Sequence, residues 1–305
     1  KCKPVLAYID KNNLCISLNS IKKVATKNTK AIMLAHTLGN PFNLKKVLEI
    51  CKKYDLWLIE DNCDALGSKY EDKYTGTFGD IATLSFYPAH HITMGEGGAI
   101  FTNNNRIKRI SESFRDWGRD CYCEPGVENT CKKRFEWQLG KLPFGYDHKY
   151  IYSHVGFNMK ITDMQAACGL GQLTNLENFI QKRKKNVFFL KQELNELQDD
   201  LLLPEAEINS DPSWFGFPIT IKKESKFKRA DIIKKLTENK IGTRLLFAGN
   251  ITKQPAYISK KFRVHGSLDI TDQIMSNTFW VGIQPAIGEA ELTYVAKIIK
   301  EFFKS

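Results

Sequence analysis

KAIMLAHTLGNPFNLKKVLEICKKYDLWLIEDNCDALGS, residues 30–68, decides the fold. AIMLA (31–35) is an apolar run of strand length, and the HTLGNPFN that follows is rich in turn residues. LKKVLEICKKY then sets apolar residues at 44, 47, 48 and 51, the spacing of a helix with one buried stripe. LWLIE (56–60) is a second strand, and it ends on acidic residues. Strand, crossover helix and strand predict a β-α-β unit, and such units build parallel sheets covered on both faces. IATLSF (81–86) and GAIFT (98–102) add two more strands. Ligands of such sheets bind beyond the carboxyl ends of the strands. Asp61 and the pair His90–His91 fall just past strand ends, so they are expected to face one crevice.

Downstream, residues 103–119 read as a helix, and 120–157 have no clean period. A stretch this long without secondary structure is normally functional. A helical region follows over 156–194, with Thr162 as N-cap. WFGFPITI (214–221), a helix over 229–239, TRLLFA (243–248) and a closing helix over 291–303 then form a smaller α+β pattern. The expected organisation is a large domain over 1–175, with 120–157 as a cysteine-containing insertion, and a small C-terminal domain over 176–305. Cys51 and Cys168 fall in helical apolar patterns and are expected to be buried.

The net charge is +11, carried by 36 Lys against nine Arg. Nucleic-acid sites lean on Arg for bidentate contacts, whereas Lys here sits beside acids, as in KKVLEICKKYD (45–55). That is the pattern of a solvated surface. A zinc-stabilised basic nucleic-acid-binding module predicts Arg-rich, aromatic-interleaved segments and C-x2-C pairs, and the sequence has neither. Apolar runs fall far short of the roughly 20 residues of a membrane span. KCKPVLAYID does not read as a signal peptide, so a cytoplasmic location is expected.

LWLIEDNCDALGS (56–68) and SFYPAHHITMGEGG (85–98) together resemble the fold-type-one pyridoxal-phosphate enzymes that act on nucleotide sugars, an aminotransferase and dehydratase family. The resemblance implies an α/β, aspartate aminotransferase-like fold. It gives Asp61 the pyridine nitrogen of the cofactor, keeping the ring protonated as an electron sink, and Ser85 the cofactor phosphate. Asn158, in GFNMK, would reach the phosphate of the neighbouring subunit, implying a homodimer with shared active sites. Arg244 is a candidate for the nucleotide phosphates, which suit a guanidinium fork. Aminotransferases of the family read S-F-x-x-x-K, and here His90 stands in place of that Lys. Imidazole cannot hold the cofactor covalently, so the resemblance implies non-covalent pyridoxamine phosphate, with His90 as the acid/base group of a dehydration. His91 reads equally as a second such group or as packing. Family members also carry a Gly-Ser phosphate turn and a stacking aromatic ahead of the point where this chain begins. The chain is therefore expected to lack roughly the first quarter of a full enzyme.

Cys63, Cys121, Cys123 and Cys131 follow the pattern C-x57-C-x-C-x7-C. Four thiolates suit a [2Fe-2S] centre or zinc, although C-x-C departs from the usual zinc pairing. The spacing resembles that of the iron–sulfur 3-dehydrases of the family. That resemblance implies loss of the C3 hydroxyl of CDP-4-keto-6-deoxy-D-glucose through a pyridoxamine phosphate Schiff base. Reduction would follow through the cluster by an NADH-dependent flavin/iron–sulfur reductase, in 3,6-dideoxyhexose and O-antigen lipopolysaccharide biosynthesis. The other enzyme reading is a cluster-free nucleotide-sugar 3-dehydratase or aminotransferase. His90 argues against amino transfer and the four cysteines against the cluster-free form.

Overall fold

The computed structural model describes residues 2–124 and 126–304. Strands β1 (Ala31–Ala35), β2 (Trp57–Asp61) and β3 (Ile81–Ser85) run parallel, and β4 (Gly98–Phe101) joins β3 antiparallel, in the order β1-β2-β3-β4. The crossover from β1 to β2 is α1 (Leu44–Tyr54). It starts where the Asn43 side chain accepts the Lys46 N–H at 3.0 Å, and stops at Asp55, which is left-handed at φ +52°. Leu44, Val47, Ile50 and Cys51 turn inward onto Phe42, Leu58 and Tyr70.

Only one face of this sheet is covered. Leu58, Glu60, Ala82 and Leu84 are buried, whereas Met33 is 62% exposed and Trp57 47%. The period of two along a strand puts Trp57, Ile59 and Asp61 on the open side, and the register adds Thr83 and Ser85 to it. The expectation of cover on both faces is thus met on one.

The predicted helix over 103–119 is α2 (Asn105–Arg115). The next is α3 (Asp163–Leu173), opened by Thr162 in a reciprocal capping box with Gln165. It buries only Gly169, and Cys168 is exposed rather than buried, because the apolar side of α3 has no partner layer here. Among its described residues the stretch 120–157 contains a single 3-10 turn, His148–Tyr150. Arg134 ties it together, reaching both oxygens of Asp147 (2.9 and 2.7 Å) and Glu128 (2.9 Å).

In the second half, β5 (Leu201–Leu202), β6 (Gly216–Ile221), β7 (Thr243–Leu245) and β8 (Thr278–Gly282) form an antiparallel sheet in the order β7-β8-β6-β5. Helices α4 (Leu176–Glu193), α5 (Arg229–Glu238) and α6 (Glu289–Phe303) supply Leu190, Leu236, Ala296 and Ile299 to the core it shares with Phe217, Ile219 and Phe279. No helix among the described residues is long and apolar enough to cross a membrane.

The chain between β5 and β6 returns to the first half. Glu207 accepts from Asn13 and Asn43 (2.8 Å each), and Ser210–Asp211 pairs with Lys69–Tyr70. The Ser213 N–H donates to Ser68 Oγ (2.8 Å), whose hydroxyl donates to the Gly39 carbonyl (2.7 Å). Gly39 lies at φ +90°, and a Cβ there would stand 2.2 Å from the Ser213 carbonyl oxygen. Gly39→Ala therefore combines left-handed strain with overpacking and should cost about 3 kcal/mol or more. Urea unfolding reads the loss; an unchanged midpoint would show that this contact carries no weight.

Candidate functional site

Asp61 ends β2 on the open face. Its Oδ1 accepts the Cys63 N–H (3.2 Å) and the Thr83 hydroxyl (3.3 Å). Both of these bonds go to Oδ1, which makes Oδ2 the oxygen better placed to meet a ligand. One residue earlier, Glu60 points into the core. It accepts the N–H groups of Gly76 (2.8 Å), Phe78 (2.9 Å) and Gly79 (2.6 Å) and faces His36 Nε2 at 3.0 Å. Burial alone would raise this carboxyl, but the His36 bond and charge and the Gly79 and Gly76 N–H groups hold it below its ordinary value.

The 85–98 turn leaves β3 beside it. Ser85 Oγ accepts the Tyr87 N–H (3.3 Å), and the turn closes through His90 N–H to the Tyr87 carbonyl (3.0 Å) and Met94 N–H to the Phe86 carbonyl (2.9 Å). His90 is half-buried against the Phe215 ring, 5.0 Å between centroids. Its Nδ1 is buried with no hydrogen bond and stands 3.7 Å from Asp64 Oδ1, too far for one. Burial first, then the Arg183 charge, push the His90 pKa below its ordinary value, with Asp61 pulling the other way. Burial also pushes the Asp64 carboxyl up, to about 7, and Asp61 adds to this. Sequence reading missed Asp64; its only signal was a second carboxylate three residues beyond Asp61.

His91 belongs to packing. It is buried, and its Nε2 meets the Ser213 carbonyl at 2.9 Å. Burial, with Arg183 second, takes its pKa down to about 3. Asn158 is exposed in a β-bridge with Asp116, its Oδ1 accepting from Lys160 (2.7 Å), and Arg244 is exposed and donates to the Thr243 carbonyl (2.8 Å). The structure brings neither to Asp61 or His90.

The cysteines separate into two places. Cys121, Cys123 and Cys131 line a cavity of about 1260 Å³ together with His148, Asp120 and Trp137. Cys131 Sγ is 3.8 Å from His148 Nδ1, and His148 Nε2 is 2.7 Å from Asp120. Cys63 does not line that cavity. Its thiol rests 3.6 Å from the Thr83 hydroxyl, and burial, then the hydrogen bond and charge of Asp61, push it up to about 12. Among the described residues no group of three or more His, Cys, Asp or Glu side chains could hold a metal ion. The four thiols as arranged here do not fit a single [2Fe-2S] centre, because Cys63 is fixed at a strand end and the other three on a separate loop.

A carboxylate at one strand end, a serine turn at the next and a half-buried imidazole between them fit a pyridoxal-phosphate-type ring and phosphate. With the α/β sheet they define a fold-type-one pyridoxal-phosphate transferase of the aspartate aminotransferase kind. The chain belongs to the DegT/DnrJ/EryC1/StrS aminotransferase family, whose description matches residues 1–300. It is 59% identical over 300 residues to lipopolysaccharide biosynthesis protein RfbH of Salmonella typhimurium, covering 98% of this chain and 69% of that protein. It is 51% identical to a dTDP-4-dehydro-2,6-dideoxy-D-glucose 3-dehydratase of Saccharopolyspora spinosa, covering 98% of this chain and 64% of that protein. The chain therefore spans about two thirds of the length of these relatives. Among solved structures, E. coli GDP-4-keto-6-deoxy-D-mannose-3-dehydratase with bound hydrated PLP superposes with a TM-score of 0.83 at 28% identity, covering 96% of this chain and 73% of that one.

The depressed His91 pKa has a signed consequence. The unfolded imidazole takes up its proton below 6.5 while the folded one stays neutral to about 3, so stability is full above 6.5 and is lost as pH falls. Between pH 6.5 and 4.5 the loss is about 2–3 kcal/mol. His91→Gln, which keeps a donor for the Ser213 carbonyl, should remove that part of the slope. Urea midpoints at about pH 7 and about pH 4.5 check it; an unaltered slope would mean that His91 titrates freely.

Proposed function

We propose that the protein to which this chain belongs is a nucleotide-sugar 3-dehydratase of deoxysugar and lipopolysaccharide biosynthesis. It uses pyridoxamine phosphate and takes His90 as its proton-transfer group. The observation that supports it is the half-buried His90, its pKa lowered by burial, in the place where an aminotransferase keeps its lysine. No lysine occurs anywhere in the turn 85–98. The names of the relatives that are 3-dehydratases point the same way.

When bound, the cofactor supplies an amine for a 4-keto sugar and a ring that takes up electron density. Asp61 offers its Oδ2 to the pyridine nitrogen and keeps the ring protonated. Ser85 holds the phosphate beside β3. His90 would accept at a ring nitrogen the proton lost from carbon and return it to the departing C3 oxygen, which leaves as water; a neutral imidazole is the form able to take that proton up. Asp64, Cys63 and Thr83 hold the surroundings of Asp61 and His90. Asn158 and Arg244 keep their proposed places at a neighbouring subunit's phosphate in a dimer and at the nucleotide, respectively.

His90→Asn should lower dehydration about 100-fold or more while the cofactor still binds. Asp61→Asn should weaken cofactor binding itself, read by equilibrium dialysis. Borohydride reduction should leave no pyridoxyl group on any lysine of the wild-type protein. A pyridoxyl-lysine, with amino transfer intact in His90→Asn, would overturn the dehydratase reading.

The finer reading comprises a CDP-linked 4-keto-6-deoxy sugar and a [2Fe-2S] cluster on Cys63, Cys121, Cys123 and Cys131. It also includes an NADH-dependent flavin/iron–sulfur reductase as electron donor. The cysteine spacing supports it, and it requires the loop that carries three of the thiols to meet Cys63, unlike the arrangement described above. Iron, acid-labile sulfide and zinc should be measured after anaerobic reconstitution. Iron and sulfide in equal amounts, lost in both Cys63→Ser and Cys123→Ser, would support this reading. Stoichiometric zinc without sulfide would remove the cluster and leave the His90 chemistry standing.

A further inference from the structure

Arg183, on α4, is a buried cation that the proposed chemistry does not use. It is 2% exposed, and among the described residues no carboxylate pairs with it. Its Nη1 donates to the carbonyls of Trp214 (3.3 Å) and Phe215 (2.9 Å), and its Nε is buried without a partner. Burying an unpaired charge costs several kcal/mol, and two carbonyls could be satisfied by a neutral amide. The charge itself therefore calls for a reason. Such departures from the ordinary rules concentrate at functional sites.

The segment it grips is held on every side. The Ser213 N–H donates to Ser68 Oγ, the Ser213 carbonyl meets His91 Nε2, and the Phe215 N–H donates to the Leu38 carbonyl at 2.8 Å. Between these anchors the Phe215 ring packs on His90 at 5.0 Å, with His91 at 6.4 Å and Trp280 at 5.5 Å. Guanidinium, carbonyls, aromatic ring and imidazole thus form one continuous stack from α4 to the 85–98 turn.

We propose that Arg183 is a positioning residue for His90, acting through the Trp214 and Phe215 carbonyls and through its unpaired charge. The hydrogen bonds fix the ring that keeps water off the imidazole, and the charge disfavours a second cation at His90. Burial and the Arg183 charge are the two causes that lower the His90 pKa. The other groups facing His90 are Asp64 at 3.7 Å, Asp61, His91 and the Tyr87 ring at 6.5 Å. The inference rests on His90 as the proton-transfer group, but its test does not pass through catalysis.

The test is an NMR titration of the His90 imidazole in the ¹⁵N-histidine-labelled chain, with the signal assigned by its absence in His90→Asn. Asp61, Asp64, Tyr87 and His91 stay constant across the series, so differences between variants read Arg183. In Arg183→Gln, which keeps a donor for the carbonyls and removes the charge, the His90 midpoint should move up. In Arg183→Lys it should stay with the wild type. An unmoved midpoint in a folded Gln variant, or equal upward shifts in both variants, would overturn the proposal. If the Gln variant fails to fold, Phe215→Leu carries the test. Loss of the ring should raise the midpoint by admitting water, and no shift would again overturn it. Loss of dehydration in His90→Asn is a separate result, so failure of this inference and failure of the dehydratase reading are told apart.

Discussion

Two carboxylates stand side by side at the end of β2, and a strand sends neighbouring side chains to opposite faces. Glu60 and Asp61 therefore cannot share an environment, and the rest of the site depends on that division. Glu60 goes into the core, where an ion without partners would be strongly destabilising. It is met by three backbone N–H groups and by His36, itself stacked on Phe42 at 4.4 Å. Those bonds fold residues 76–79 onto the strand and fix its end. Asp61 is left on the open face with both bonds on one oxygen. The buried carboxylate holds the strand so that the exposed one can be aimed.

Much of this was legible in the sequence. AIMLA and the strand before Asp61 are apolar runs of strand length, the helix over 44–54 carries a clear period, and the structure places all three within a residue of their expected bounds. Asp61, Ser85 and His90 are expected from the family resemblance of 56–68 and 85–98, and the structure places Asp61 and Ser85 at the ends of adjacent strands with His90 in the turn that follows. What was illegible depends on chain segments far apart. Arg183 sits in QKRKK and reads there as one more solvated cation, yet the return of residues 213–215 buries it. The same return decides His91, whose partner is Ser213, 122 residues away. Cysteine spacing gave a set of four ligands, but spacing does not measure distance, and the strand end and the loop keep Cys63 apart from the other three.

The open face of the first sheet bears on the same chemistry. Met33, Trp57 and Asp61 share it, so an aromatic cofactor lying there would meet apolar surface as well as a carboxylate. Water reaches that face freely in this chain. The reaction proposed above would be favoured by a water-poor site. Phe215 packs on one side of His90, and the bonds of its backbone to Leu38 and Arg183 hold the ring there.

The electrostatics around His90 show what kind of pair it forms with Asp64. An ion pair needs the imidazole charged and the carboxyl ionised at one pH. Here burial lowers the pKa of the imidazole and raises that of the carboxyl to about 7, so both environments work against such a pair. In the proposed reaction, loss of the C3 hydroxyl needs a group that takes a proton and, for the departing oxygen, one that gives a proton. On this reading, Arg183 sets the balance from His90's side and the burial of Asp64 sets it from the other.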